Sequence, residues 1–138
     1  MQGAGLARTG GSATNVRFSI PGEPAPKGSK NVSRSGHVYE QSKRLIEWRK
    51  TADEALAGVP QLDPPYRVTV TFVCKRPKRA TYNWPARGDL DKFQRAVGDA
   101  LESTGVLVND AHIIDWRAVK IYGREPRTYG VVETIEGY

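Results

Sequence analysis

Apolar residues alternate through Val16, Phe18 and Ile20 and stop at Pro21, which predicts a first strand with one face toward a core. The stretch from Pro21 to Tyr39 is rich in Pro and Gly and reads as a loop. Between Ser42 and Ala57 the apolar positions Leu45, Trp48, Ala52, Ala55 and Leu56 recur at helical spacing, closed by Gly58 and Pro60. Val68, Val70, Phe72 and Cys74 then fall on one side of a strand from Arg67 to Cys74. A second helical stripe, Phe93, Ala96, Val97, Ala100 and Leu101, starts near Asp89 and ends at Gly105 as an αL cap. Two more β-like runs, Ile113 to Tyr122 and Thr128 to Ile135, flank Gly123 to Arg127, whose Gly and Pro favour a hairpin.

The resulting order, β-α-β-α-β-β, predicts an α/β protein of the α+β type, with two helices packed on a mixed sheet. At 138 residues the chain accommodates a single small domain. Residues 1–15 hold almost nothing large to bury and read as a flexible tail, leaving 16–138 as the domain.

Charge adds a partner to this picture. Lys and Arg number 21 against 15 Asp and Glu, a formal net charge of +6, which suits a polyanion whose counterions are released on binding. The basic side chains gather in loops. Lys27, Lys30 and Arg34 lie in the first, and Lys78, Arg79 and Arg87 join Tyr82 and Trp84 in the Lys75–Gly88 connection, which is long for a simple turn. Lys92 and Lys120 extend the set of candidate phosphate contacts, while Tyr82 and Trp84 are either stacking surfaces for bases or partly buried anchors. The single cysteine, Cys74, leaves no internal disulfide or thiolate zinc site. No apolar run approaches the roughly 20 residues of a membrane span, and the start lacks the plan of a signal peptide, so a cytoplasmic protein is expected.

Candidate chemistry lies on the second helix. Opposite its apolar stripe cluster Asp91, Arg95, Asp99 and Glu102, and Asp89 stands at the helix start. Asp89 and Asp91 have two readings. Either they cap the helix and favour its positive end, or two carboxylates this close hold a hard cation such as Mg²⁺ or Mn²⁺. A third acid, Asp110 in the Asn109-Asp110 turn, favours the metal reading if the following strand brings it to the helix start; otherwise it is an ordinary turn residue. Arg95, four residues from both Asp91 and Asp99, either bridges them as a salt-bridge ladder or meets a phosphate. His37 and His112 have no partner spaced for a transition-metal site.

Gly88 to Leu101 (GDLDKFQRAVGDAL), followed by Gly105 and by Val108 to Ile114 (VNDAHII), closely resembles the RusA family of Holliday junction resolvases. The resemblance extends to Phe18–Gly22, to Pro26–Gly28 and to Trp116–Lys120, and so covers about residues 16 to 135. It implies a homodimeric, Mg²⁺- or Mn²⁺-dependent endonuclease that cuts four-way DNA junctions symmetrically, with no small-molecule cofactor, in the cytoplasm of a cell or of a phage's host. It also implies Asp89, Asp91 and Asp110 as metal ligands and catalytic residues, and puts Arg95 where the family has a catalytic lysine. Arginine keeps the charge but cannot donate a proton at neutral pH. Asn109 replaces the first acid of the family's Asp-Asp turn. The rival readings are a nuclease of flaps or other branched DNA, and a nucleic-acid-binding module without catalysis.

Overall fold

The computed structural model describes residues 14–28 and 39–138. Most of the expected tail (1–13), together with Lys30, Arg34 and His37, lies outside the described residues. The first strand, β1 (Asn15–Pro21), buries Val16, Phe18 and Ile20 and exposes the residues between them, as period-two alternation requires. Helix α1 (Tyr39–Leu56) begins one turn earlier than the apolar spacing predicts and buries Trp48, Ala52 and Leu56. Strand β2 (Tyr66–Cys74) leads through the basic connection into α2 (Leu90–Ser103). A 3₁₀ turn (Asp110–His112), β3 (Ile113–Tyr122) and β4 (Arg127–Thr134) complete the chain. Among the described residues no helix is long and apolar enough to cross a membrane.

The four strands form one mixed sheet in the order β1-β4-β2-β3, with β2 and β3 parallel and both other pairings antiparallel. The expected hairpin between the last two strands is therefore corrected: β2 lies between them. Once α2 serves as the crossover between parallel β2 and β3, β4 can join β2 only on its other side. The connection passes over the end of β2, where the Gly123 N–H donates to the Cys74 carbonyl (3.1 Å). A Cβ at Gly123 would sit 2.5 Å from the Val73 side chain. Gly130 marks a closer approach still, because a Cβ there would lie 2.0 Å from the Thr69 carbonyl oxygen on β2.

One core fills the space between the helices and a single face of the sheet. Phe93, Ala96, Val97, Ala100 and Leu101 of α2 join Val68, Val70 and Phe72 of β2 in it, and the Phe72 and Phe93 rings stack at 5.1 Å. Each such large side chain contributes about 1.5–3 kcal/mol on burial. The opposite face carries Thr69 and Thr71 of β2, Val119 and Ile121 of β3, and Tyr129 and Val131 of β4, all exposed or half-buried, with buried Val73 at the end where Gly123 passes. An Arg67–Asp115 pair (2.7 Å) and an Arg67–Glu133 pair (3.6 Å) stand on the same side.

Candidate active site

The start of α2 is a place where the backbone is held and the carboxylates are not. Gly88 has φ +79°, and a Cβ on it would meet the Phe93 ring at 2.6 Å, so glycine is required there. Lys120, on the helix-facing side of β3, donates from Nζ to the Gly88 carbonyl. This lysine was expected among the phosphate contacts, and the structure shows its ammonium fixing the residue before Asp89. Asp89 is the N-cap residue in extended conformation, yet its side chain accepts no capping hydrogen bond. It is 72% exposed, with Lys92 Nζ 3.7 Å away. Asp91 lies exposed in the first turn. Asp89 thus does not cap the helix and pairs only with Lys92, while Asp91 sits in the first turn, at the positive end of the helix, with no salt bridge among the described residues.

Arg95 is exposed one turn further along and forms no salt bridge with Asp91 or Asp99 among the described residues, so the expected ladder is not what it builds. Asp99 instead accepts from Lys27 Nζ at 2.7 Å, while the Lys27 N–H donates to the Lys92 carbonyl at 3.0 Å. These contacts lay the Pro26–Gly28 segment along α2 and put Lys27 inside an acidic group rather than at its periphery.

Asp110 joins that same group. Tyr66, fully buried, donates to the Leu62 carbonyl (2.8 Å) and accepts from the Val108 N–H (3.0 Å), which fixes the approach to the turn. Asn109 caps the turn by accepting from the Ala111 N–H (2.8 Å), and the Asp110 N–H donates to Glu102 Oε1 (2.7 Å). The Asp110 carboxyl faces Gly98, where a Cβ would be 3.8 Å from its Oδ2. Burial, then the nearby charges of Glu102 and Asp99, raise its pKa above the ordinary aspartate value, and Lys27 partly opposes them.

The acids therefore lie in two groups along one helix. Asp89 and Asp91 stand at its start. Asp99, Glu102 and Asp110 lie toward its end, roughly 12 Å away for eight residues of rise at 1.5 Å each. The topology explains the spread, since a βαβ crossover delivers the start of β3 to the far end of α2. Among the described residues no three His, Cys, Asp or Glu side chains converge as a ligand set. Two exposed carboxylates do fit a hard divalent cation, and the excess of acid around Asp110 is likewise an environment that a cation relieves. Glu102 is the member that sequence reading left as part of a charged face; its position on the Asp91 side of the helix was the only signal.

Of the remaining expected phosphate contacts, Lys78, Arg79 and Arg87 are exposed on the β2–α2 connection. Arg79 and Arg87 line a cleft of about 820 Å³ between that connection and the Glu23–Pro26 segment. The Glu23 carboxylate accepts from the Lys75 N–H (3.2 Å), tying the two walls together.

A cationic cleft that reaches Gly88, next to two exposed carboxylates and an arginine with no carboxylate partner among the described residues, is a combination suited to phosphodiesters, and it is one that fits a nuclease. The chain belongs to the RusA family: the model described as Endodeoxyribonuclease RusA matches residues 21–133. Similar relatives include the crossover junction endodeoxyribonuclease RusA of Escherichia coli strain K12 and that of Escherichia coli O1:K1 / APEC. Each is 32% identical over 95 residues, which is 69% of this chain and 68% of the relative. The crossover junction endodeoxyribonuclease rusA of Enterobacteria phage 82 is 30% identical over 95 residues, with the same shares covered.

A raised Asp110 pKa costs fold stability, with the sign set by linkage. Below the ordinary aspartate range both states are protonated and the cost is absent. It develops as pH rises through the window between the ordinary and the raised value. Asp110→Asn is therefore expected to raise the Tm of the protein in EDTA at neutral pH, with the gain vanishing in acid. Thermal melts across pH check this, and a difference that does not change with pH would remove the electrostatic cost from Asp110.

Proposed function

We propose that this chain is a crossover junction endodeoxyribonuclease that hydrolyses phosphodiester bonds in four-way DNA, with a divalent cation and as a homodimer. The observation that carries the reading is the pair of exposed carboxylates, Asp89 and Asp91, neither of them a helix cap, at a helix start held by Lys120 and one turn before Arg95. Membership of the RusA family over residues 21–133 supports it.

Asp89 and Asp91 are the residues to hold a Mg²⁺ or Mn²⁺ ion; Asp110, expected as a third ligand, stands instead with Asp99 and Glu102 toward the other end of α2. When bound, such an ion supplies Lewis-acid stabilisation of phosphate charge and a nucleophile at neutral pH. The chain's own residues do the rest. Lys120 and Gly88 hold the backbone that orients Asp89. Arg95 offers a fixed positive charge to the phosphate as charge develops on it, a role that needs no proton transfer. Lys78, Arg79 and Arg87 contact the backbone of the arms, and Lys92 neutralises a phosphate near Asp89 or the carboxylate itself.

The homodimer has a structural argument of its own. Val119 and Ile121, 48% and 42% exposed, lie on the sheet face opposite the core with Val131 and the threonines of β2. A second copy placed on that face by a two-fold axis buries it against itself and presents two equivalent sites to a two-fold substrate.

Asp91→Asn is expected to keep junction binding in a gel-shift assay and to lose cleavage of a labelled four-way junction in Mg²⁺ or Mn²⁺. A wild-type protein that binds the junction yet leaves it intact under those conditions sinks the enzyme reading in favour of a binding module. Preferential cutting of flaps in competition with junctions would favour the other branched-DNA substrate. For Arg95→Ala we expect about a 100-fold loss of cleavage rate, as when one preorganised oxyanion donor is removed; a near-normal rate would take Arg95 out of the mechanism. Ile121→Lys should sediment near the 15.2 kDa of one chain, against twice that mass for the wild type. An unchanged dimer would move the interface elsewhere.

A further inference from the structure

The connection between β2 and α2 leaves two large aromatic rings in water. Tyr82 and Trp84 are 48% and 59% exposed, and their rings stack with centroids 4.9 Å apart and 15° between planes. The loop tip is braced: Arg76 Nη2 donates to Asn83 Oδ1 (3.1 Å), and the Arg76 guanidinium lies over the Tyr122 ring at 5.4 Å. The pair is thus a supported platform. The same segment carries Lys75, Arg76, Lys78, Arg79 and Arg87, and no acidic residue interrupts it before Asp89. Tyr82 lines the 820 Å³ cleft together with Arg79, Arg87 and Gly88, so the platform adjoins the start of α2.

A flat π surface flanked by cations is the chemical complement of a base carried on phosphates. In continuous duplex each base is covered by its neighbours and offers no face to such a platform. At a branch point the strands change partners and a base can lose a stacking neighbour. We propose that the Tyr82–Trp84 stack takes up an unstacked base at the branch point of its DNA substrate and so supplies preference for branched over linear DNA. The proposal rests on the reading of the chain as a junction nuclease. It divides the labour of the loop: the cations hold the backbone of any DNA, and the aromatic pair recognises the branch.

The test uses the full chain in EDTA, with a four-way junction and a matching linear duplex, each carrying 2-aminopurine in turn at the branch-point positions and their linear equivalents. Fluorescence anisotropy gives Kd, and the 2-aminopurine emission reports stacking. For Trp84→Ala we expect about a ten-fold weaker junction complex, the scale of one lost base–aromatic stack, with duplex affinity within about two-fold of wild type. Quenching of a branch-point 2-aminopurine on binding should fall with it, and Trp84→Phe should restore both. Tyr82→Ala should act in the same direction. Equal losses on junction and duplex, or undiminished quenching in Trp84→Ala, would overturn the proposal. So would a change confined to sedimentation, which would assign the rings to a subunit contact. A wild type without junction preference defeats this proposal and the parent reading together, whereas a selective wild type with equally selective variants defeats this proposal alone.

Discussion

Phe93, Ala96, Val97, Ala100 and Leu101 leave water together, in the same core as Val68, Val70 and Phe72, and that burial dictates where the other side chains of α2 point. With the apolar stripe committed to the core, Asp91, Arg95, Asp99 and Glu102 are driven onto the outer side. Gly98 then offers a gap on the helix, into which the Trp116 ring and the Asp110 carboxyl approach. Packing thus sets the positions of the charges, and the proposed chemistry draws on the row that results.

That row has an energetic cost which the fold concentrates in one place. Asp110 is brought toward Glu102 and Asp99 in a partly buried setting, and Lys27 offsets only part of the repulsion. At the other end Asp89 and Asp91 stay in water, where two carboxylates are cheap to keep. A group held against its own electrostatic preference is commonly found where function requires it. The ties that hold the row in place are themselves hydrogen bonds between distant parts of the chain: Tyr66 to Val108, Lys120 to Gly88, and Lys27 to Lys92 and Asp99.

Local pattern made much of this legible in advance. The strands, both helices and the αL glycine after α2 follow from periodicities and caps that act over a few residues, and Gly105 has φ +86°. The β3–β4 relation was not legible, because Gly and Pro between two strands read the same whether the strands pair or cross over a third. Pairing was decided instead by β2, which takes β3 through the α2 crossover and β4 on its free side. The acids divide in the same way. Asp89 and Asp91 share a helix start that their own spacing fixes, whereas the place of Asp110 depends on strand order and on a tyrosine far away in sequence. Lys120 looked like one more surface cation because strand alternation gives its side but not its partner.

Arg95 shows most clearly what the surrounding geometry asks of a residue. Its relatives' position is marked by lysine in the resemblance drawn from sequence, and an ammonium has two uses, as a charge and as a proton donor. A guanidinium retains only the first at neutral pH. Had Arg95 been bound into a ladder with Asp91 and Asp99, even its charge would have been spent on them. Asp99 is taken by Lys27 instead, and Asp91 forms no salt bridge among the described residues. Lys27 thereby leaves the arginine without that carboxylate, and under the proposed function its planar fork suits two phosphate oxygens at once. In this chain the electrostatic half of the lysine's chemistry is the half that the neighbouring contacts preserve.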